Sequence, residues 1–487
     1  MSGNSDEVPI TNIPSGERIE KLSEHFYNEF GCQPDFFARV PGRVNLIGEH
    51  IDYCGYPVLP MALEQDIIVA AGFMREHKIN LRNTNCKYDK IDFEIKPYSE
   101  MIIERLGSDG KPFWYNYVLC GIKGALEHLD NKVINGVKFF IDGNIPPASG
   151  LSSSSALVSA VCLAFLYAQK AILNKIEIAS LCAKCERYIG TQGGGMDQAI
   201  AFLAEKYCAQ YITWNPLKAT KVMLPEDASF VVAHSLAEVN KAATNDYNKR
   251  VIECRLAAKI LTLDSHIKID HNIVTLSQVQ KLLNKSLEEM VILVHNQLPK
   301  DIYVKTEVCE MLNITEEEMD NFYLTPNTIH LHEFKLKQRA LHVYGEAIRV
   351  EAFRGICSES SMNGKRNGST NGANTYSTDE DRADVLSKLG ELMSKSHESL
   401  KKLYECSHKN LDLLVDISKK LNVHSRLTGA GWGGCIVALC PKEKVKEYID
   451  KVEDEFYVKH CKIDKAKAKS FVFATSPNYG AVIYTKK

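Results

Sequence analysis

The sequence predicts an α+β fold, on three observations. Strand-like and helix-like segments follow one another without the steady β-α-β alternation of a parallel sheet. At 487 residues the chain has room for two or three domains, each with its own core. No internal repeat is visible along it.

The elements follow in order. "RIEKLSEHFYNEFG" has helical spacing and stops at Gly31. "FFARVPGRVNLIGEH", "QDIIVAAGFM" and "VKFFIDGNI" have the β-branched and aromatic content of strands. Long helices are expected after the serine-rich turn at Ser149 to Ser155 and across "EIASLCAKCERYIG". "KYCAQYITWN" and "ASFVVAHS" read as further strands, and "DYNKRVIECRLAAKILTL" as a helix of strong helix formers. Residues 358–382 turn to Ser, Asn and Gly with almost no apolar residue, so a disordered surface insert is expected there. Two helices, the strand-like "GCIVALC", a helix from "KEKVKEYIDKVEDEFY" and the strand-like "SFVFATS" complete the chain.

Composition excludes several classes. Apolar residues are 45% and charged residues 25%, ordinary for a soluble globular protein. With 59 basic against 61 acidic residues there is no basic field for nucleic acid and no polybasic membrane arm. The polar, acidic N-terminus lacks the apolar core of a signal peptide, and the longest apolar run, Ala156 to Ala168, is shorter than the roughly 20 residues that span a bilayer. That run reads as a buried helix. Fifteen scattered cysteines then read as reduced thiols of a cytoplasmic protein, and a monomer is expected in the absence of a heptad seam. Cys182 and Cys185 form a lone C-x-x-C without a second pair, so core thiols are expected rather than a metal site.

Four stretches carry chemistry. In "LTGAGWGGCIVALC", Gly429, Gly431 and Gly434 match G-x-G-x-x-G, the dinucleotide fingerprint. That fingerprint needs a strand before the glycines and a helix after them, so that pyrophosphate meets a helix N-terminus. Here a helix is expected before and a strand after, so NAD binding is rejected. The glycines remain either a structural turn or a place of close backbone approach. "GNIPPASGLSSSSALVSAVCLAFLYA" has the order that suits phosphate: strand, Gly150, four serines, long helix. The alternative is a serine cap on an ordinary helix. "GRVNLIGEHIDYCGYPVLP" sets Arg43, Glu49, His50 and Asp52 within ten residues, a set suited to a neutral polyol or to a surface ion-pair network. In "ERYIGTQGGGMDQ", Asp197 follows three glycines and could take a hydroxyl proton or cap the next helix.

Together these stretches resemble the GHMP small-molecule kinases and, within them, the galactokinase family, from about residue 20 to the C-terminus apart from the insert. "NKAATNDYNKRVIECRLAAK" and "ERYIGTQGGGMDQAIAFLAE" are most similar to the branch acting on N-acetylgalactosamine. The resemblance implies a ribosomal-S5-like domain over 1–220 and a ferredoxin-like domain over 221–487, with the active site in the cleft between them. It implies transfer of phosphoryl from ATP to the sugar C1 hydroxyl, with N-acetylgalactosamine preferred and galactose a weaker substrate. Asp197 would be the base, and Arg43 would keep that carboxylate ionised and offset charge on the transferred group. Glu49, His50, Asp52, Gly194 and Tyr247 would bind the sugar. Gly150, Ser152, Ser153 and Ser154 would cradle the phosphates with Asn240 and Lys241 nearby, and Trp114 would lie near the adenine. Ser154 and Glu186 would hold Mg²⁺. The alternatives are a galactokinase proper, or a non-catalytic sensor that binds galactose and ATP.

Overall fold

The larger sheet has seven strands, six of them from the first third of the chain: Ile10–Asn12 (β1), Phe36–Ile47 (β2), Leu59–Met74 (β3), Lys78–Asn83 (β4), Ile91–Glu94 (β5) and Gly136–Gly143 (β6). The seventh, Val482–Thr485, comes from the far end and lies between β1 and β2, so the order is β1, Val482–Thr485, β2, β3, β6, β4, β5. It runs parallel to β1 and antiparallel to β2, with Val482 opposite Arg39. β4 is parallel to β6, whereas β3 is antiparallel to it. Mixed pairing of this kind is what the absence of β-α-β alternation predicts. This computed structural model describes residues 6–104, 112–146, 148–237, 245–263, 275–366 and 379–486, with backbone alone at 361–366 and 379–382.

Helix Glu17–Phe30 (α1) covers part of this sheet. Its apolar stripe of Ile19, Leu22 and Phe26 packs with Phe37, Ile68, Phe140 and Tyr484. Gly31, at φ 70°, closes the helix in the left-handed cap that its position predicts. Helices Trp114–His128 (α2), Ser153–Ala168 (α3), Lys175–Cys185 (α4) and Met196–Leu203 (α5) form a second group. α3 is buried almost all round, the expectation for an apolar run too short to span a bilayer. Among the described residues no helix is long and apolar enough to cross a membrane. Cys182 and Cys185 are both buried on α4.

Contacts group the chain into two compact units: Met1–Val44 with Met61–Lys206 and Pro477–Lys487, and Asn45–Pro60 with Tyr207–Ser476. These differ from contiguous halves at 1–220 and 221–487. The cause is pairing: Val482–Thr485 draws the end of the chain into the first unit's sheet. In the second unit Cys208–Thr213 (β7) and Lys218–Met223 (β8) form a hairpin. A four-stranded antiparallel sheet runs in the order His424–Thr428, Cys435–Pro441, Ala228–His234 (β9), Val472–Thr475. Helix Asp246–Ile260 (α6) and the long helix Leu336–Arg366 belong to the same unit.

The expected disorder across 358–382 does not hold at either end of that segment. Helix Leu336–Arg366 continues through its first residues and helix Asp379–Ser399 begins before its last. A nucleated helix gains one hydrogen bond for each residue added, so it extends into polar sequence that could not start one. Residues 367–378 lie outside the described residues.

Candidate active site

In the first unit, β6 leads into the serine-rich loop as the sequence predicts, and α3 begins at Ser153. The loop is tightly wound: Ala148, Gly150 and Ser152 have φ of 53°, 74° and 62°. Only the glycine adopts that region without cost, and strain at non-glycine residues collects at functional sites. Ser152 occupies the N-cap position, but its side chain makes no cap bond, and its buried Oγ has no partner. The N–H groups of the first helical turn have no intrahelical acceptor. Ser153 and Ser154 lie half-buried on that turn. Trp114, at the start of α2, lies 5.3 Å from the ring of Tyr88, and its buried indole Nε1 also lacks a partner. A hydroxyl and an N–H buried without acceptors fit a ligand that brings acceptors, as phosphate oxygens and adenine nitrogens do.

Arg43 joins this loop to the candidate base. It is 1% exposed on β2; its Nε donates to Asp197 Oδ1 at 2.7 Å, and its Nη1 donates to the Gly150 carbonyl at 2.5 Å. Asp197 sits in the first turn of α5 behind Gly195, where a carboxylate meets the positive end of the helix. Gly194 is the residue before that cap. The Ser155 hydroxyl lies 2.8 Å from Glu186 Oε1 and 3.1 Å from Asp197 Oδ2, with one proton to serve both. Gln198 Nε2 donates to Glu186 Oε2 at 2.7 Å. Thus the hydroxyl beside Glu186 is that of Ser155, where Ser154 was the expected Mg²⁺ partner. Sequence reasoning missed Ser155 and Gln198, although the serine run and the helical i, i+1 position next to Asp197 both lay in view. Among the described residues no three His, Cys, Asp or Glu are placed to hold a metal ion. Mg²⁺ ordinarily takes one or two carboxylates plus substrate phosphates, and Glu186 and Asp197 fit that requirement.

The second unit holds the polyol cluster and the glycine turn. Glu49 is 1% exposed and pairs with the fully buried Arg426 at 3.0 Å. The same oxygen accepts from the Gly429 N–H at 3.1 Å, and Oε1 accepts from Asn45 Nδ2 at 3.2 Å. His50, at φ 63°, places Nε2 2.8 Å from the Ala430 carbonyl and Nδ1 2.8 Å from the Tyr53 hydroxyl. Asp52 opens the short turn Asp52–Cys54. Tyr247 on α6 lies 5.7 Å from the rings of both His50 and Tyr53 and packs with Ala430. Thus Glu49, His50 and Tyr247 converge on the glycine turn. Asn240 and Lys241 lie outside the described residues.

That turn is flanked by strands on both sides. His424–Thr428 precedes the glycines and pairs antiparallel with Cys435–Pro441, Thr428 opposite Cys435. The expected helix does precede the turn, at Lys409–Lys420, but a strand, His424–Thr428, comes between it and the glycines, and "HSRLT" conceals that strand behind polar residues. The absence of a following helix stands, and with it the rejection of a dinucleotide turn. Gly431 has φ 81°, and a Cβ there would run into the Cys406 carbonyl, so close backbone approach accounts for that glycine.

Below Glu49 the charges are sealed from water. His342 Nε2 donates to the Glu49 carbonyl at 3.1 Å, and Glu346 Oε1 accepts from the Gly48 N–H at 2.9 Å. Burial pushes His342 down to about 4, against the pull of Glu346. Burial pushes Glu346 up, but Arg349 and Arg426 outweigh it and hold the carboxyl at about 2. Both folded values lie below the unfolded ones, so both groups favour the unfolded state as protons are added. Stability therefore falls from about pH 6.5 to 4 through His342, and from about 4.5 to 2 through Glu346. His342→Gln, which keeps a donor and an acceptor, flattens the upper part of that decline. Urea midpoints measured between pH 7 and 4 check it, and an unchanged slope refutes the assignment.

Three family descriptions match the chain: the galactokinase galactose-binding signature at residues 24–73, the GHMP kinases N terminal domain at 116–205, and the GHMP kinases C terminal at 382–459. A galactokinase of Dictyostelium discoideum is 39% identical over 96% of this chain and 94% of its own length. One from Saccharomyces cerevisiae is 33% identical over 99% and 97%. Among solved structures, Lactococcus lactis galactokinase complexed with galactose superposes with a TM-score of 0.68 at 25% identity, covering 95% of this chain and 99% of that one.

Proposed function

Because the chain belongs to the galactokinase family of GHMP kinases and is a sugar kinase, we propose that it transfers the γ-phosphoryl group of ATP to the C1 hydroxyl of N-acetylgalactosamine, with galactose as the weaker substrate. One observation carries the mechanism: a single buried guanidinium, Arg43, bonds both Asp197 and the Gly150 carbonyl of the phosphate loop. Asp197 takes the C1 proton as the oxygen attacks the γ-phosphorus, and the bond to the β-phosphate oxygen breaks to release ADP. Arg43 orients the carboxylate and offsets negative charge that grows on the transferred group. The serine loop and the N–H groups at the start of α3 bind phosphate. Bound Mg²⁺, held by Glu186 with serine hydroxyls, would neutralise phosphate charge. Glu49, His50, Asp52, Gly194 and Tyr247 serve the sugar, and Trp114 the adenine.

The preference for N-acetylgalactosamine is supported by the likeness of "NKAATNDYNKRVIECRLAAK" and "ERYIGTQGGGMDQAIAFLAE" to that branch. A second reading, galactose as the main substrate, is favoured by the names of the relatives above. ADP release with Mg-ATP and N-acetylgalactosamine, galactose or glucose separates them. Faster turnover on N-acetylgalactosamine is expected. Faster turnover on galactose reverses the assignment, and no sugar-dependent ADP from folded, ATP-binding protein sinks both.

A further inference from the structure

A line of hydrogen bonds runs from His50 into the core of the second unit, and its direction follows from chemistry. The Ala430 carbonyl only accepts, so the neutral His50 ring carries its proton on Nε2. Nδ1 must then accept, and the Tyr53 hydroxyl donates to it at 2.8 Å. Having spent its proton, the Tyr53 oxygen accepts from the Tyr404 hydroxyl at 2.6 Å. The Tyr404 oxygen in turn accepts from the Cys254 thiol at 3.3 Å. Reversing the line would turn a bare Nε2 lone pair against the Ala430 carbonyl. Burial raises both phenols far above their ordinary range, so each keeps the proton it must donate.

The backbone that delivers Tyr404 is itself unusual. Leu400–Tyr404 is a π-helical turn ending in Glu405 at φ 53°, and such turns gather at functional sites. Arg250 braces it, donating from Nε to the Tyr404 carbonyl at 2.7 Å and from Nη2 to the Glu405 carbonyl at 3.1 Å. The same guanidinium lies 5.5 Å over the ring of Trp432 in the glycine turn. Trp432 holds φ 56°, costly for a bulky residue, and its N–H donates to the Cys406 carbonyl just beyond the π turn. The turn at Leu400–Tyr404 is thus tied to the glycine turn twice, by backbone and by side chain.

We propose that Tyr53 and Tyr404 are positioning residues of the sugar site: the one-way line Cys254 to Tyr404 to Tyr53 to His50 holds the imidazole as its Nε2–H tautomer, pinned to Ala430, and so sets how His50 and the glycine turn meet the sugar. This rests on the reading that His50 serves the sugar. Tyr404→Phe keeps the ring and removes the donor, after which the Tyr53 hydroxyl is no longer fixed and its bond to Nδ1 weakens. Cys254→Ser keeps a donor at the end of the line, and Cys254→Ala removes it.

The test has two independent readouts. Ring nitrogen NMR of protein labelled at histidine, with His50→Gln to assign the signal, reports the tautomer without any turnover. Steady-state kinetics report the site. The expected results are a single Nε2–H tautomer in the parent, a mixture in Tyr404→Phe and Tyr53→Phe, and a sugar KM raised about 3–10-fold, one hydrogen bond's worth. kcat and the KM for ATP should stay within about twofold, and Cys254→Ser should match the parent where Cys254→Ala does not. An unchanged tautomer overturns the proposal. So does a changed tautomer with an unchanged sugar KM, or a loss spread evenly over kcat, both KM values and thermal midpoint. A parent that turns over no sugar defeats the functional reading instead, while the NMR result still decides the line.

Discussion

Asp197→Asn lowers kcat by about 10²–10⁴-fold, the usual cost of removing a general base. The amide keeps the size of the carboxylate and can still accept from Arg43 Nε, so the 2.7 Å contact survives without its charge. ATP and sugar affinity, read by calorimetry, should change far less than kcat. The variant also takes the Asp197 charge away from Arg43, which is 1% exposed, so a fall in thermal midpoint accompanies the lost activity. That makes folded protein a necessary control at the assay temperature. A kcat within tenfold of the parent refutes the base assignment and leaves Asp197 as a structural partner of Arg43.

The second large effect is on stability. Glu49→Ala removes the carboxylate that faces Arg426 at 3.0 Å where both side chains are sealed from water. Breaking a buried pair from one side costs about 3–5 kcal/mol, chiefly because the remaining charge has no water to turn to. Two further donors, the Gly429 N–H and Asn45 Nδ2, lose their acceptor at the same time. Pairing Glu49→Ala with Arg426→Met should recover part of the loss, since the stranded charge goes with it while Glu346 keeps Arg349 as its counter-charge. Urea unfolding of the two single variants and the double variant measures this. Additive losses mean that the two groups are not coupled.

Sequence legibility followed distance along the chain. Arg43, Glu49, His50 and Asp52 stand within ten residues, and the serine loop keeps its own order of strand, glycine and helix, so local spacing exposes both. Arg426 escaped because it lies in a strand whose polar letters hide that it is fully buried, where Glu49 opposite compensates its charge. Tyr404 escaped because its partner Tyr53 is 351 residues away. No spacing rule reaches so far. The strand Val482–Thr485 was missed for a similar reason: four residues carry little periodic signal, and their place is set by β1 and β2. In the insert, composition argued for disorder, while continuity of helix Leu336–Arg366 depended on the packing of residues before it.

The place of Val482–Thr485 also bears on how the protein is made. A ribosome releases β2 roughly 430 residues before the strand that pairs with it, tens of seconds at about 5–20 residues per second. Until then the nascent chain carries β1 and β2 with open edges, the template on which foreign strands add. The first unit cannot close vectorially, from its N-terminus onward, and must finish after synthesis of the second. The sheet that carries Arg43 is therefore completed only once Val482–Thr485 has been added.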